Sequence, residues 1–279
     1  MSDLFDPAEA GRIRLSQGSL RYWDRGRGPV LVFVHGLLVN ANLWRKVVPR
    51  LEEEFRCIVP DWPLGAHRES VDADADLTPA GLARWIAELL EALDLRDVTL
   101  VGNDTGGALC QIAATEHPER LGALVLTPCD AYENFLPPRF RYLQWLGHVP
   151  GGIFALVQGM RPRFVRRLPI AFGSLAARRI DDDALDEYVA PALASAATRR
   201  DLAKVLRGIS PRYTLRAAER AGDFEKPVLL AWARRDRFFA PEFAERLARA
   251  FPKARVEMSD EGLTFLPEDE PEWLAERIA

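Results

Sequence analysis

Six residues, Gly102-Asn103-Asp104-Thr105-Gly106-Gly107, separate the β-rich run Val98 to Val101 from a helical run carrying Ala108, Leu109, Ile112 and Ala113. A chain that passes from strand to helix in so short a turn, with small residues on both sides of a central one, holds that residue in a strained bend with its side chain pointing outward. The central residue here is Asp104. Taken alone, an aspartate in this position also suits an ordinary helix N-cap. A carboxylate there meets the positive end of the helix dipole and nearby backbone donors, so Asp104 is expected to be anionic at neutral pH.

The elbow belongs to a longer alternation. Val30 to Val34, Arg56 to Val59, Val98 to Val101 and Leu121 to Leu126 are apolar and β-branched on both faces, the pattern of buried parallel strands. Leu82, Trp85, Ile86, Leu89, Leu90 and Leu93 recur at helical spacing after Thr78-Pro79, a capping threonine followed by a proline at the first helical position. Leu43, Trp44, Val47, Val48 and Leu51 predict a second covering helix after Asn40 and Asn42. The pattern is that of an α/β fold with a mostly parallel sheet flanked by helices.

From residue 131 to 211 the alternation stops, giving way to helical segments joined by Pro/Gly turns, with a basic cluster (Arg161, Arg163, Arg166, Arg167) and an acidic run (Asp181, Asp182, Asp183). It returns with a strand over Val228 to Trp232, a helix from Pro241, a strand over Ala254 to Met258 and a final helix from Pro271. The expected organisation is a core of residues 1–130 and 212–279 with a helical cap of residues 131–211. The 279 residues, 48% hydrophobic, suffice for such a core. The first ten residues and the acidic stretch Val71 to Asp76 are expected to be mobile.

A formal charge of −4 gives no general pull toward nucleic acid or anionic membrane, so the expected partner is a small molecule. The cysteines Cys57, Cys110 and Cys129 are too few and scattered for a disulfide framework or zinc site, and reduced thiols point to the cytoplasm. The acidic start (Asp3, Asp6, Glu9) does not look like a signal peptide. The uncharged stretch Tyr142 to Met160 is too rich in Gly, Gln and His for a lipid-buried helix and is expected to wall a pocket. Neither clustered His/Cys ligands nor a phosphate loop is present, so no metal or other cofactor is expected.

Taken together, His35-Gly36, the segment Asp61 to Ser70, the elbow at Asp104, His117-Pro118-Glu119-Arg120, Asp236 and the terminal run Phe265 to Glu272 resemble an α/β-hydrolase with a helical cap, in the branch of haloalkane dehalogenases and epoxide hydrolases. The resemblance spans nearly the whole chain and implies an eight-stranded, mostly parallel sheet. It also implies that the Asp104 carboxylate attacks an sp³ carbon, displacing halide or opening an epoxide, to leave an alkyl-enzyme ester that a histidine-activated water cleaves. The backbone N–H groups of Leu37 and Thr105 would be the anion donors, and Asp236 the acid that orients the base.

That base is missing. The four histidines are His35, His67, His117 and His148, all before Asp236, and the position where such relatives carry histidine reads Leu263-Thr264-Phe265. Thr264 has a pKa far too high to activate water. The side chains of Leu37 and Thr105 also stand where dehalogenase relatives keep a halide-binding Asn and Trp, while Tyr132, Tyr142 and Tyr188 are available for epoxide protonation. His67 is the expected substitute base, with His148 second and Asp130 an alternative acid. His35 reads as structural, although it and Trp62, Asn103, Asp130, His148 and Thr264 are expected around the substrate pocket.

The reading is a hydrolase for a small or medium apolar substrate acting through Asp104. Two alternatives stand beside it: a lyase, isomerase or decarboxylase using Asp104 as general acid/base, and a ligand-binding relative without activity.

Overall fold

Strand order decides where a site can form. In the computed structural model, which describes residues 5–69 and 71–279, the strands β1 (Gly11–Leu15), β2 (Gly18–Arg25), β3 (Val30–Val34), β4 (Arg56–Pro60), β5 (Val98–Asp104), β6 (Leu121–Cys129), β7 (Val228–Ala233) and β8 (Ala254–Ser259) form one sheet ordered β1-β2-β4-β3-β5-β6-β7-β8. From β4 to β8 every pairing is parallel, whereas β1 and β2 form an antiparallel hairpin on β4. The six strands read from the sequence are all present. The hairpin is added: its Arg12, Arg14 and Asp24 face outward at a sheet edge, so it lacks the two-sided apolar run that marks β3 to β7.

The helices are α1 (Val48–Leu51), α2 (Pro79–Ala92), α3 (Thr105–Glu116), α4 (Arg141–His148), α5 (Gly152–Gly159), α6 (Arg163–Arg166), α7 (Asp182–Ala194), α8 (Ala196–Gly208), α9 (Pro211–Arg220), α10 (Pro241–Ala250), α11 (Leu266–Asp269) and α12 (Pro271–Ile278). Thr78 caps α2 by accepting from Gly81 N at 3.2 Å, and the apolar stripe from Leu82 to Leu90 is buried. The helix expected over residues 43–51 is instead a 3-10 turn (Ala41–Trp44) and the single turn α1. Pro49 has no N–H with which to continue a helix from the preceding turn.

The stretch expected to be mobile at Val71 to Asp76 is fastened: Asp72 takes Arg14, and Lys204 Nζ donates to Ala73 O at 2.9 Å and Ala75 O at 2.5 Å. Of the first ten residues, 1–4 lie outside the described residues, as does Ser70 of the segment Asp61 to Ser70, while Phe5 is buried with its ring 5.2 Å from that of Trp23.

Between β6 and β7 the regular elements are all helical, from α4 to α9, joined by turns. Two buried ties join this insertion to the rest. His67 meets Asp201 of α8, and Glu268 of α11 takes Arg45, Lys46 and the Tyr188 hydroxyl of α7. Cys57, Cys110 and Cys129 are buried free thiols, and among the described residues no helix is long and apolar enough to cross a membrane.

Candidate active site

β5 ends at Asp104 and α3 begins at Thr105, with no residue between them. Asp104 has φ 54° and ψ −131°, a conformation that costs free energy for a residue with a Cβ. The turn closes because its neighbours are glycines. A Cβ on Gly106 would sit 2.1 Å from Val34 O, and one on Gly36, at the end of β3, would sit 2.5 Å from Asp104 Cβ. The carboxylate therefore stands at the centre of the parallel strands, on their C-terminal edge, as expected of a ligand site in such a sheet.

Asp104 Oδ1 accepts the Thr105 backbone N–H and lies 3.2 Å from Thr105 Oγ1. Oδ2 has no hydrogen-bond partner among the described residues. Asp104 faces a cavity of about 280 Å³ whose other walls are almost entirely apolar, among them Leu37, Leu143, Met160, Val165, Phe172 and Phe239. Tyr142 also lines it, but its hydroxyl donates to Ile170 O at 2.8 Å. Burial pushes the Asp104 carboxyl up to about 6, against the pull of the Thr105 N–H and hydroxyl, and the charge of Asp236 adds to the rise. The helix N-terminus thus does not win outright. The group is still mostly ionised at neutral pH, by a smaller margin than the sequence suggests.

Asp236, just past β7, accepts Phe238 N (2.7 Å) and Phe239 N (2.9 Å) on Oδ1 and the Thr264 hydroxyl (2.7 Å) on Oδ2. Burial raises its pKa, and these donors oppose the rise. Thr264 is fully buried and donates where an imidazole would be needed. Asp130, which follows β6, lies behind the elbow: Thr105 Oγ1 is 3.1 Å from its Oδ2, and Leu136 N donates to Oδ1 at 3.1 Å.

Several expected site residues are elsewhere. Both ring nitrogens of His67 are engaged, Nδ1 accepting from Gly65 N and Nε2 facing Asp201 Oδ2, each at 3.3 Å. It does not line the cavity and is fixed as a tie to α8, which corrects the expectation of a substitute base. His148 is exposed, its Nδ1 donating to Gln144 O at 2.9 Å, and it borders an outer groove instead of the pocket. His35 is structural: Nδ1 donates to Gly36 O, Nε2 accepts from Trp62 N, both at 2.9 Å, and burial pushes its pKa down to about 4, so the ring is neutral. Trp62 spends its indole N–H on Phe33 O.

Asn103 is also behind the site, its amide nitrogen bonding Thr127 Oγ1 and Thr264 O and so stapling β5 and β6 to the loop carrying Thr264. None of His35, Trp62, Asn103, Asp130 or Thr264 lines the cavity. Leu37 does, and its backbone N–H has no partner among the described residues. Tyr132 packs under Arg246 and Tyr188 bonds Glu268, which leaves Tyr142 alone of the three tyrosines on the cavity wall. The wall from Val165 to Leu175 was not foreseen, because its apolar residues stand beside the arginines at 161, 163, 166 and 167.

Over residues 29–271 the chain matches the alpha/beta hydrolase fold family. It is 30% identical over 186 residues to a haloalkane dehalogenase of Mesorhizobium japonicum, covering 64% of this chain and 58% of that relative, less than two thirds of its length. With haloalkane dehalogenase 2 of Mycobacterium tuberculosis it shares 27% identity over 280 residues, 98% of this chain and 94% of that one. The crystal structure of an alpha/beta hydrolase fold protein from Burkholderia ambifaria superposes with a TM-score of 0.81 at 23% identity, covering 97% of each chain. That likeness is one of fold.

Proposed function

Because the chain belongs to the alpha/beta hydrolase fold family, we propose that Asp104 is a nucleophile toward the electrophilic carbon of a small or medium apolar substrate, of the haloalkane or epoxide kind. The observation that carries this reading is the state of its carboxylate. Oδ1 is held by Thr105, while Oδ2 has no partner among the described residues and Asp104 faces an apolar cavity. An Oδ2 electron pair attacks the carbon, the bond to halide or epoxide oxygen breaks with its electrons, and an alkyl ester remains on Asp104. In the second step water adds to Cγ, and the negative charge forms on Oδ1, beside the Thr105 N–H. The Leu37 N–H is the second donor in this scheme.

Among the described residues no histidine lines the cavity to accept the proton of that water. Thr264 stands in the base position and its hydroxyl donates to Asp236. The side chains of Leu37 and Thr105 offer no N–H to a departing halide, and the Tyr142 hydroxyl is engaged by Ile170 O. The ester therefore forms faster than it is released.

A second reading is favoured by the pKa of about 6 at Asp104. A carboxyl poised near neutrality is an effective general acid/base, and such chemistry needs no histidine and forms no ester. Intact-protein mass spectrometry after incubation with small haloalkanes and epoxides separates the two. A mass gain on the native chain that is absent from Asp104→Asn is the expected result. Product without a mass gain favours the acid/base reading, and the absence of both mass gain and product favours a binding protein.

A further inference from the structure

Thr105 Oγ1 lies between two carboxyl groups, 3.2 Å from Asp104 Oδ1 and 3.1 Å from Asp130 Oδ2. A hydroxyl has one hydrogen to give. If it donates to one carboxylate, the other oxygen at hydrogen-bond distance must itself carry a proton, or two lone pairs face each other inside the protein. We propose that Asp104 and Asp130 hold one proton between them across the Thr105 hydroxyl, with the proton at rest on Asp130 and the charge on Asp104.

The surroundings support this. Asp130 is fully buried. It is faced from α3 by Thr105 and by Gln111, whose Nε2 donates to Asp130 O at 2.9 Å, from β5 by Asp104, from β6 by the Cys129 thiol, and from the following loop by Leu136 N. Asp236 adds a further negative group on the Asp104 side. Among the described residues no Lys, Arg or His pairs with Asp104 or Asp130. Two adjacent carboxylates without a cation repel, and the buried one keeps its proton. Burial and the Asp104 charge both hold Asp130 well above the usual carboxylate range, against the Leu136 N–H, which favours the ionised form.

The resting order is Asp130 O–H to Thr105 Oγ1, and Thr105 O–H to Asp104 Oδ1. Moving both hydrogens one bond along leaves Asp130 as carboxylate, Thr105 as hydroxyl and Asp104 as acid, so the same path can neutralise Asp104. This deepens the reading of Asp104 as a nucleophile, from which one consequence follows. Esterification removes the negative charge beside Asp130 and so lowers its pKa, while burial, the larger cause, continues to favour the protonated acid.

The test needs no substrate, so it fails or succeeds apart from turnover. The protein labelled with ¹³Cγ-aspartate is titrated by NMR, with Asp104→Asn and Asp130→Asn used to assign the two signals. In the native protein the Asp130 signal is expected to stay protonated through neutral pH while Asp104 titrates below it. Asp104→Asn is expected to lower the Asp130 midpoint by about one pH unit or more. Asp130→Asn mimics the protonated acid and leaves Asp104 nearly unmoved. Thr105→Ser keeps both titrations, whereas Thr105→Val, of similar shape but without the hydroxyl, shifts both. An ionised Asp130 signal in the native protein at neutral pH overturns the proposal, whatever the variants do. So does an Asp130 midpoint unaffected by Asp104→Asn.

Discussion

The Thr264 hydroxyl donates to Asp236 Oδ2 across 2.7 Å, so the acid after β7 is fully engaged by a side chain that cannot take up a proton. Thr264→His places an imidazole beside this carboxylate. Ester release is expected to rise by roughly 10²- to 10⁴-fold, the usual contribution of a positioned base. Overpacking of the buried position should cost about 1–3 kcal/mol. The measurement is the decay of the adduct mass together with product formation, and an unchanged adduct lifetime would count against the nucleophile reading.

On the nucleophile reading, only the ionised form of Asp104 attacks. Since burial pushes its pKa up to about 6, the rate of adduct formation should rise with pH, reach half its maximum near that value and level off above neutrality. A rate independent of pH from acidic to neutral conditions would show that the carboxyl is not raised.

The same shift predicts a stability change. The folded protein still holds a proton on Asp104 after the unfolded chain has lost it, between the ordinary value of 3.8 and about 6. Stability contributed by this group is therefore lost as pH rises through that window. Asp104→Asn should raise stability by on the order of 1–3 kcal/mol above neutrality and by almost nothing below about pH 4. Thermal unfolding at the two ends of this range checks it, and an equal gain at both would point to packing as the cause.

Gly36 packs directly against the elbow. A Cβ there would lie 2.5 Å from Asp104 Cβ and 2.7 Å from its Cγ. Gly36→Ala should slow adduct formation about 10²-fold, the cost of displacing a reacting group by about 1 Å. Gly222→Ala, whose Cβ meets nothing within 4 Å, serves as the control and should leave the rate unchanged.

His67 is assigned to structure by its pairing with Asp201. His67→Ala should destabilise the protein by about 1–3 kcal/mol, because it leaves a cavity and removes one buried partner of Asp201, which keeps Arg200 and Val71 N. The lifetime of the Asp104 ester should not change; a longer lifetime would restore His67 as the base.

Much of the fold was legible because buried parallel strands are apolar on both faces, which gave away β3 to β7 but not the half-exposed hairpin of β1 and β2. The elbow was legible because only glycines admit so tight a turn. Asp236 and Thr264 could be found by their order along the chain. The histidines could not be placed in the same way, since the partner that fixes His67 is Asp201, 134 residues away. Asp130 was visible as a carboxyl near the site, yet its contact with Thr105 depends on how β6 runs beside the elbow, with Cys129 in register with Asp104.

The wall around Asp104 discriminates by what it lacks. A substrate bearing a hydroxyl or an ammonium group must shed its water to enter, and the lining has almost nothing with which to replace those bonds. Fidelity of this kind is weak toward homologues that differ by a methylene or two and stronger toward polar analogues. On the proposed function, such a lining would sort oily molecules from wet ones and accept many members of one apolar series.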